Sequence, residues 1–117
     1  MPKRTPDQLA AQARERISRI HSTLTQIDYL CSGTLHTSSM TCGKPSCRCN
    51  VDPAARHGPY YRWGHMKTGK LVRRYVSLAQ AQALRKAIAN YRKMKKLIRA
   101  WETETERLIN AETTPNP

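Results

Sequence analysis

Three cysteines and one histidine lie close together near the middle of the chain. They follow the pattern Cys-x4-Cys-x-Cys-x7-His, and the residues are Cys42, Cys47, Cys49 and His57. Three thiolates and one imidazole make up a complete tetrahedral ligand set for Zn²⁺. Since four protein ligands leave no coordination position for water, the pattern predicts a structural zinc site rather than a catalytic one.

The spacing leaves alternatives open. It differs from the common pair of Cys-x2-Cys knuckles, so the three cysteines could instead be free thiols, include a disulfide between the first two, or have a redox role. The fourth ligand could be His65, His36 or Cys31 in place of His57. Cys31 also continues the apolar seam of the first predicted helix, where a small core side chain is expected.

The cysteines belong to a longer motif. The sequence reads Cys-Gly-Lys-Pro-Ser-Cys-Arg-Cys over residues 42–49, His-Gly-Pro-Tyr-Tyr-Arg-Trp over residues 57–63, Gly-Lys at 69–70 and Arg-Tyr-Val at 74–76. This motif resembles that of a family of small uncharacterised prokaryotic proteins, classed as a domain of unknown function and often associated with transposons and other mobile elements. The resemblance covers residues 33–94 and leaves the N-terminal helix outside. It implies a mobile-element and nucleic-acid context, and it assigns no catalytic residue.

The formal net charge of +13 is concentrated in one segment. Residues 53–101 hold 13 basic side chains and no acidic one, whereas the rest of the chain holds eight of each. Polyanion binding requires Lys and Arg clustered on a surface without interleaved carboxylates. The charge distribution therefore predicts a surface for nucleic acid, either DNA or RNA, with an acidic protein as the alternative partner.

Two elements within this segment offer such a surface, a strand and a helix. In a strand, Tyr61 and Trp63 share one face, which we expect in the core, and Tyr60 shares the opposite face with Arg62. Tyr75 on the following strand is expected on that same outer face. The predicted phosphate contacts are Arg62, Arg73, Arg74, Lys93, Lys96 and Arg99, with Tyr60 as a stacking side chain.

Apolar residues at helical spacing occur on both sides of the segment that holds the cysteines and the predicted strands. Apolar residues recur at spacings of three and four along residues 7–31, after Thr5 as a helix cap. They predict an amphipathic helix that ends before Gly33. A second, longer helix is predicted over residues 78–110, beginning with a capping box from Ser77.

Strand signals fill the middle of the chain. Residues 34–40 predict an edge strand and residues 41–57 a loop. Residues 59–66 and 71–77 predict a β-hairpin, because aromatic and branched side chains dominate both and a glycine-containing turn at 67–70 joins them. The predicted fold class is α+β: an N-terminal helix, a zinc-clipped loop, a small antiparallel β-hairpin or three-stranded sheet, and a long C-terminal helix.

One small domain is predicted for most of the chain. We expect a flexible N-terminus over residues 1–6, a single zinc-binding domain over residues 7–110 and a flexible tail over residues 111–117. Within the domain, the first helix, the Cys/His loop with its hairpin, and the basic helix occupy residues 7–31, 34–77 and 78–110. The helices are expected to pack antiparallel, or to pair across a homodimer, since both are long relative to so small a core.

Composition argues against several function classes. The apolar runs fall far short of the roughly 20 residues that span a bilayer, and none follows the basic N-terminus as in a secretory signal. We therefore expect a cytoplasmic protein with reduced thiols and no membrane partner. Metal-dependent nucleases need clustered carboxylates, yet Asp52 is the only acidic residue between Asp28 and Glu102. The glutamates at 102, 104 and 106 are expected to form a solvated helix end, and no enzymatic activity is predicted.

These observations predict a non-catalytic nucleic-acid-binding zinc protein, an accessory or regulatory factor of a transposon or other mobile element. The alternative is a protein–protein adaptor that binds a transposase or another acidic partner through its helical seam and basic face.

Overall fold

A computed structural model of the protein describes residues 3–112. In chain order, one helix precedes the three strands of a single sheet and a second helix follows them. The α+β class and the three-stranded alternative are therefore confirmed. The elements are, in chain order, α1 Pro6–Leu24, β1 Thr34–Met40, β2 His57–Lys67, β3 Lys70–Val76 and α2 Leu78–Glu112. Of the predicted tail, residues 113–117 lie outside the described residues, as do residues 1 and 2 of the predicted flexible N-terminus.

The chain divides into two compact units. The sheet unit is Tyr29–Ala89, and the helical unit comprises Met1–Asp28 together with Asn90–Pro117. Helix α2 contributes its first part to the sheet unit and its second part to the helical unit. That residues 7–110 fold as one domain stays a prediction.

The sheet has the order β1-β2-β3, and both strand pairs are antiparallel. Lys67 pairs with Lys70, and the turn between them places Thr68 and Gly69 at φ 49° and 80°. This is the positive-φ turn that the glycine predicts, and it matches the right-handed twist of the strands.

The core of the sheet unit lies between one sheet face and the start of α2. Its buried side chains are Val76 from β3 and Ala81, Leu84 and Ile88 from α2, and Cys31, Leu35, Tyr61 and Trp63 pack against them. Tyr61 and Trp63 thus face the core as predicted. Cys31 takes the core position that its apolar seam indicates, and its backbone N–H donates to the Ala87 carbonyl at 3.3 Å.

Helix α2 begins as predicted and continues to Glu112, the last residue that the structure describes, two residues beyond the predicted boundary. Ser77 Oγ accepts from the Gln80 N–H at 3.1 Å, and Gln80 Oε1 accepts from the Ser77 N–H at 2.9 Å. This reciprocal capping box satisfies two backbone donors at the first turn. None of the described helices combines the length and apolar character that crossing a membrane requires.

Helix α1 begins as predicted but ends earlier, at Leu24 rather than at residue 31. Thr5 caps it through a capping box with Gln8. The apolar periodicity continues past Leu24, but tertiary hydrogen bonds hold the next segment in another conformation. Cys31 bonds to α2, and the Trp63 indole N–H donates to the Ser32 carbonyl at 3.0 Å. Both contacts belong to the sheet unit, and in a helix continued to residue 31 the Cys31 N–H would instead donate to the Ile27 carbonyl.

Within the helical unit, α1 and α2 pack antiparallel, as predicted. Arg14 pairs with Glu112, whereas His21, further along α1, lies edge-on to Trp101 at 4.6 Å between ring centroids. Contacts that advance along α1 while they retreat along α2 define this direction.

Glu104 is the exception to the predicted solvated helix end: only 7% of this residue is exposed, whereas Glu102 and Glu106 are exposed as predicted. Its Oε1 accepts from Arg107 at 2.6 Å and from Arg16 at 3.5 Å. A carboxylate so placed is stabilised by two guanidinium groups, which sequence spacing along α2 alone does not reveal.

Candidate metal centre and basic surface

The sheet register brings both ends of the Cys/His loop to one place. Met40, the last residue of β1, pairs with His57, the first residue of β2. Cys42 follows two residues after Met40, so it starts the loop close to the point where His57 ends it. Cys47 and Cys49 lie between them, at the short 3₁₀ turn Arg48–Asn50.

Local hydrogen bonds fold this loop around its short 3₁₀ turns. The Lys44 carbonyl accepts from the Cys47 N–H at 3.1 Å and from the Asn50 side-chain amide at 2.6 Å. Asp52 caps the next turn by accepting from the Ala54 N–H at 3.0 Å. These bonds replace a strand ladder between the two ends of the loop.

The four side chains converge on one point. Their ligand atoms all lie within 4.8 Å of one another. Cys42 Sγ lies 3.7 Å from Cys49 Sγ, and Cys47 Sγ lies 3.4 Å from His57 Nε2. Sulfur atoms bound at about 2.3 Å around a tetrahedral ion would lie about 3.8 Å apart. The arrangement therefore can hold a metal ion, and its dimensions are compatible with zinc.

The thiols are free and differ in acidity. The pKa of Cys47 is lowered, chiefly because the backbone N–H of Cys49 and then its thiol donate to it. The pKa of Cys49 is raised on balance. The backbone N–H of Cys42 lowers this pKa, but burial and the two neighbouring thiols together raise it by more. A bound cation would favour the thiolate at every position.

The alternative fourth ligands lie elsewhere in the sheet unit. His65 stacks on Trp63 at 3.7 Å between ring centroids, and His36 pairs with Arg62 across β1 and β2. Cys31 packs on the core. Among the described residues, His57 is thus the imidazole that joins the three thiols.

The outer face of the sheet carries Tyr60, Arg62, Arg73 and Tyr75. Arg62 pairs with Tyr75, and Gly64 pairs with Arg73, so these side chains alternate with the core-facing ones. Tyr60 and Tyr75 are 38% and 58% exposed. The structure therefore brings together three of the residues predicted to contact nucleic acid and adds Tyr75. The period-two alternation predicts its place on this face, but its residue type alone does not mark it as a contact.

Arg74 is the predicted contact that faces the other way. Its guanidinium carbon lies 5.3 Å from the centroid of the Trp63 ring, on the core-facing side of the sheet. The adjacent Arg73 occupies the outer face because successive side chains of a strand point in opposite directions.

The predicted contacts on α2 belong to the helical unit. Lys93, Lys96 and Arg99 are all exposed, and successive members lie three residues apart. Side chains at that spacing are neighbours on a helix surface. They form a basic patch on the part of α2 that belongs to the helical unit.

Fold and site define a small α+β protein with a Cys₃His cluster that can hold a metal ion in the loop between its first two strands. The chain belongs to the family DUF6788, a domain of unknown function, whose match covers residues 9–86. This match starts within α1 and ends within α2, so α1 belongs to the family region, contrary to the predicted extent of residues 33–94. No curated protein and no solved structure matches the chain.

Proposed function

We propose that this protein is a non-catalytic zinc protein that binds nucleic acid through the outer face of its sheet. We further propose that it serves as an accessory or regulatory factor of a transposon or other mobile element, in the cytoplasm, as the sequence motif implies.

Zinc is the metal that best suits the cluster. Three thiolates select soft or borderline ions over Mg²⁺ and Ca²⁺, and a fourth nitrogen ligand completes the tetrahedral set that structural zinc sites use. The cluster joins the end of β1 to the start of β2, so a bound ion would stabilise the sheet. Such a clip compensates for a core whose buried hydrophobic side chains are few and mostly small.

The observation that carries the nucleic-acid proposal is the combination of charge and aromatic rings on the outer sheet face. Arg62 and Arg73 lie there beside Tyr60 and Tyr75. The three strands contain no acidic residue, and the sheet unit as a whole has ten basic residues against Asp52 alone. Asp52 lies 3.6 Å from Arg48, outside this face. A polyanion meets no carboxylate on these strands.

The basic patch on α2 offers a second contact region. Lys93, Lys96 and Arg99 are exposed and would neutralise phosphates in the same way. Two glutamates of the helical unit are paired with arginines outside this patch, since Glu15 binds Arg19 at 2.5 Å and Glu104 binds Arg107.

A salt titration with paired charge reversals tests the proposal. Removal of one phosphate-binding cation should flatten the slope of log K against log salt by about 0.9 for duplex or about 0.7 for single strands. Arg62→Glu with Arg73→Glu is therefore expected to weaken binding and flatten the slope by about 1.4 to 1.8. Lys67→Glu with Lys70→Glu at the hairpin turn changes the net charge equally and serves as the matched control.

The result that contradicts the proposal is an affinity that does not change between low and physiological salt. Equal weakening in the two double variants would indicate attraction to net charge rather than to the outer sheet face. The corresponding reversal of Lys93 and Lys96 measures the contribution of the α2 patch.

A second candidate, the protein adaptor, is favoured by the apolar side chains exposed on α2. Ile98, Trp101 and Ile109 are 43%, 37% and 54% exposed and recur at helical spacing. A transposase or another acidic partner could bind this strip and the adjacent basic patch. Capture of one acidic protein that survives nuclease treatment and is abolished by Ile98→Asp would support the adaptor over the nucleic-acid proposal.

A further inference from the structure

We propose that the outer sheet face binds single-stranded nucleic acid and that bases stack on Tyr60 and Tyr75. This inference rests on the proposed function and names its substrate class. It follows from the placement of the two rings, from the charges around them and from the width of the sheet.

The two rings form an exposed aromatic corner. Tyr60 on β2 and Tyr75 on β3 lie edge to face, with centroids 6.2 Å apart and planes at 69°. Tyr75 is 58% exposed although large aromatic side chains usually bury most of their surface. A hollow of about 320 Å³ opens beside the rings, and Pro59, Val76 and Leu78 line its apolar walls. Both rings thus have free surface to which a planar base can bind.

Cationic side chains lie directly beside this corner. Arg62 is the cross-strand partner of Tyr75, and Arg73 precedes Tyr75 by two residues on the same face. Gly64 follows Arg62 by two residues and is the cross-strand partner of Arg73, and because it has no side chain the aliphatic part of Arg73 lies over it. A chain of nucleotides could therefore lie along β2 with bases at the tyrosines and phosphates at the guanidinium groups, as sheet-based binders of single strands do in general.

Duplex is the poorer fit for this face. In a duplex both surfaces of every internal base are covered by neighbouring bases, so the tyrosine rings have nothing to stack on. The major groove, about 12 Å wide, admits a helix or a two-stranded ribbon. Three strands at about 4.8 Å spacing already span about 10 Å between their outer backbones before side chains are counted.

The experiment measures the anisotropy of labelled oligonucleotides on addition of the full chain. The probes are fluorescein-labelled oligothymidylate and oligouridylate of about twelve nucleotides, a length within the usual range for single-strand sites, and the oligothymidylate annealed to oligoadenylate. The single strands are expected to bind at least about tenfold more tightly than the duplex. Tyr75→Ala is expected to weaken single-strand binding by about five- to 150-fold, whereas Tyr75→Phe retains it because the ring remains.

The matched control is Tyr29→Ala. Tyr29 is 55% exposed, belongs to the same unit and lies outside the sheet. Its removal is expected to leave single-strand affinity unchanged, whereas an effect equal to that of Tyr75→Ala would overturn the stacking site. The ratio of thymidylate to uridylate affinity then distinguishes DNA from RNA as the source of the single strand.

Failure of this inference differs from failure of the proposed function. Equal, salt-dependent binding of single strand and duplex, unaffected by Tyr75→Ala, would overturn the inference and leave the proposed function standing. Absence of binding to all three probes would overturn both. A sedimentation shift from dimer to monomer in Tyr75→Ala, with unchanged oligonucleotide affinity, would overturn the stacking site and assign this face to contact between two copies of the chain instead.

Discussion

Replacement of Cys49 by serine is the most direct test of the metal centre. Cys49 is 2% exposed, and its sulfur lies 3.7 Å from that of Cys42 while accepting the Cys42 N–H. Serine keeps the approximate volume but offers a neutral hydroxyl with a shorter reach. Three ligands would remain, and water would take the fourth position.

The expected loss of affinity follows from the size of the ligand set. A structural zinc site binds its ion with an apparent free energy of about 10–16 kcal/mol. One quarter of this, the share of one ligand, corresponds to roughly 100- to 1000-fold in affinity. Cys49→Ser is therefore expected to raise the dissociation constant for zinc by that factor. Because the cluster connects β1 to β2, the variant should also melt at a lower temperature than the wild type.

The assay starts from protein purified without a metal-affinity tag. Elemental analysis should find one zinc per chain, and competition with a chromophoric chelator gives the dissociation constant. Cobalt substituted into the wild type should show thiolate charge-transfer absorption that weakens in Cys49→Ser. Cys31→Ser provides the matched control, since Cys31 packs on the core away from the cluster and should keep one zinc.

Two results would refute this reasoning. One is wild-type protein that contains no metal and does not bind added zinc. The other is a Cys49→Ser variant whose zinc affinity and melting temperature equal those of the wild type. His57→Ala against His65→Ala repeats the comparison for the fourth ligand, and only the first is expected to weaken binding.

Three further substitutions test the packing that positions the site. Trp63→Phe removes the indole donor to the Ser32 carbonyl and should cost about 1–2 kcal/mol in denaturant unfolding followed by circular dichroism. Gly33→Ala should cost more than about 2 kcal/mol in the same measurement, because φ is +114° and a Cβ would lie 2.3 Å from the Gly64 carbonyl oxygen. Glu104→Met should change stability by less than about 1 kcal/mol, because its exposed arginine partners regain hydration while the methionine fills the buried space. A loss above about 3 kcal/mol in Glu104→Met would contradict that account.

The two faces of the sheet could be predicted from residue types alone. Alternation with period two separates Tyr60 and Arg62 from Tyr61 and Trp63, and only one set can be covered by a helix. The capping box at Ser77 and the turn around Gly69 were predictable for a similar reason, because each involves only residues a few positions apart.

The end of α1 and the burial of Glu104 could not be predicted in this way. Apolar spacing beyond Leu24 suits a helix, but the Ala87 carbonyl accepts the Cys31 N–H that the helix would use internally, and Trp63 binds the neighbouring Ser32 carbonyl. From the sequence, Glu104 is one of three glutamates expected on a solvated helix end. Its burial depends on contact with Arg16, which lies 88 residues earlier in the chain. Both cases depend on partners distant in sequence.

The sequence by itself determined which chemistry the cluster can perform and which segment carries the charge. Three thiols within eight residues limit the ligand set, and side-chain charge does not depend on the fold. Only the tertiary structure decided that His57 rather than His65 joins the thiols, and that Tyr60, Arg62, Arg73 and Tyr75 share one exposed face. The physical reason is register: pairing of Met40 with His57 and of Arg62 with Tyr75 sets these distances, and register is a property of packing between strands.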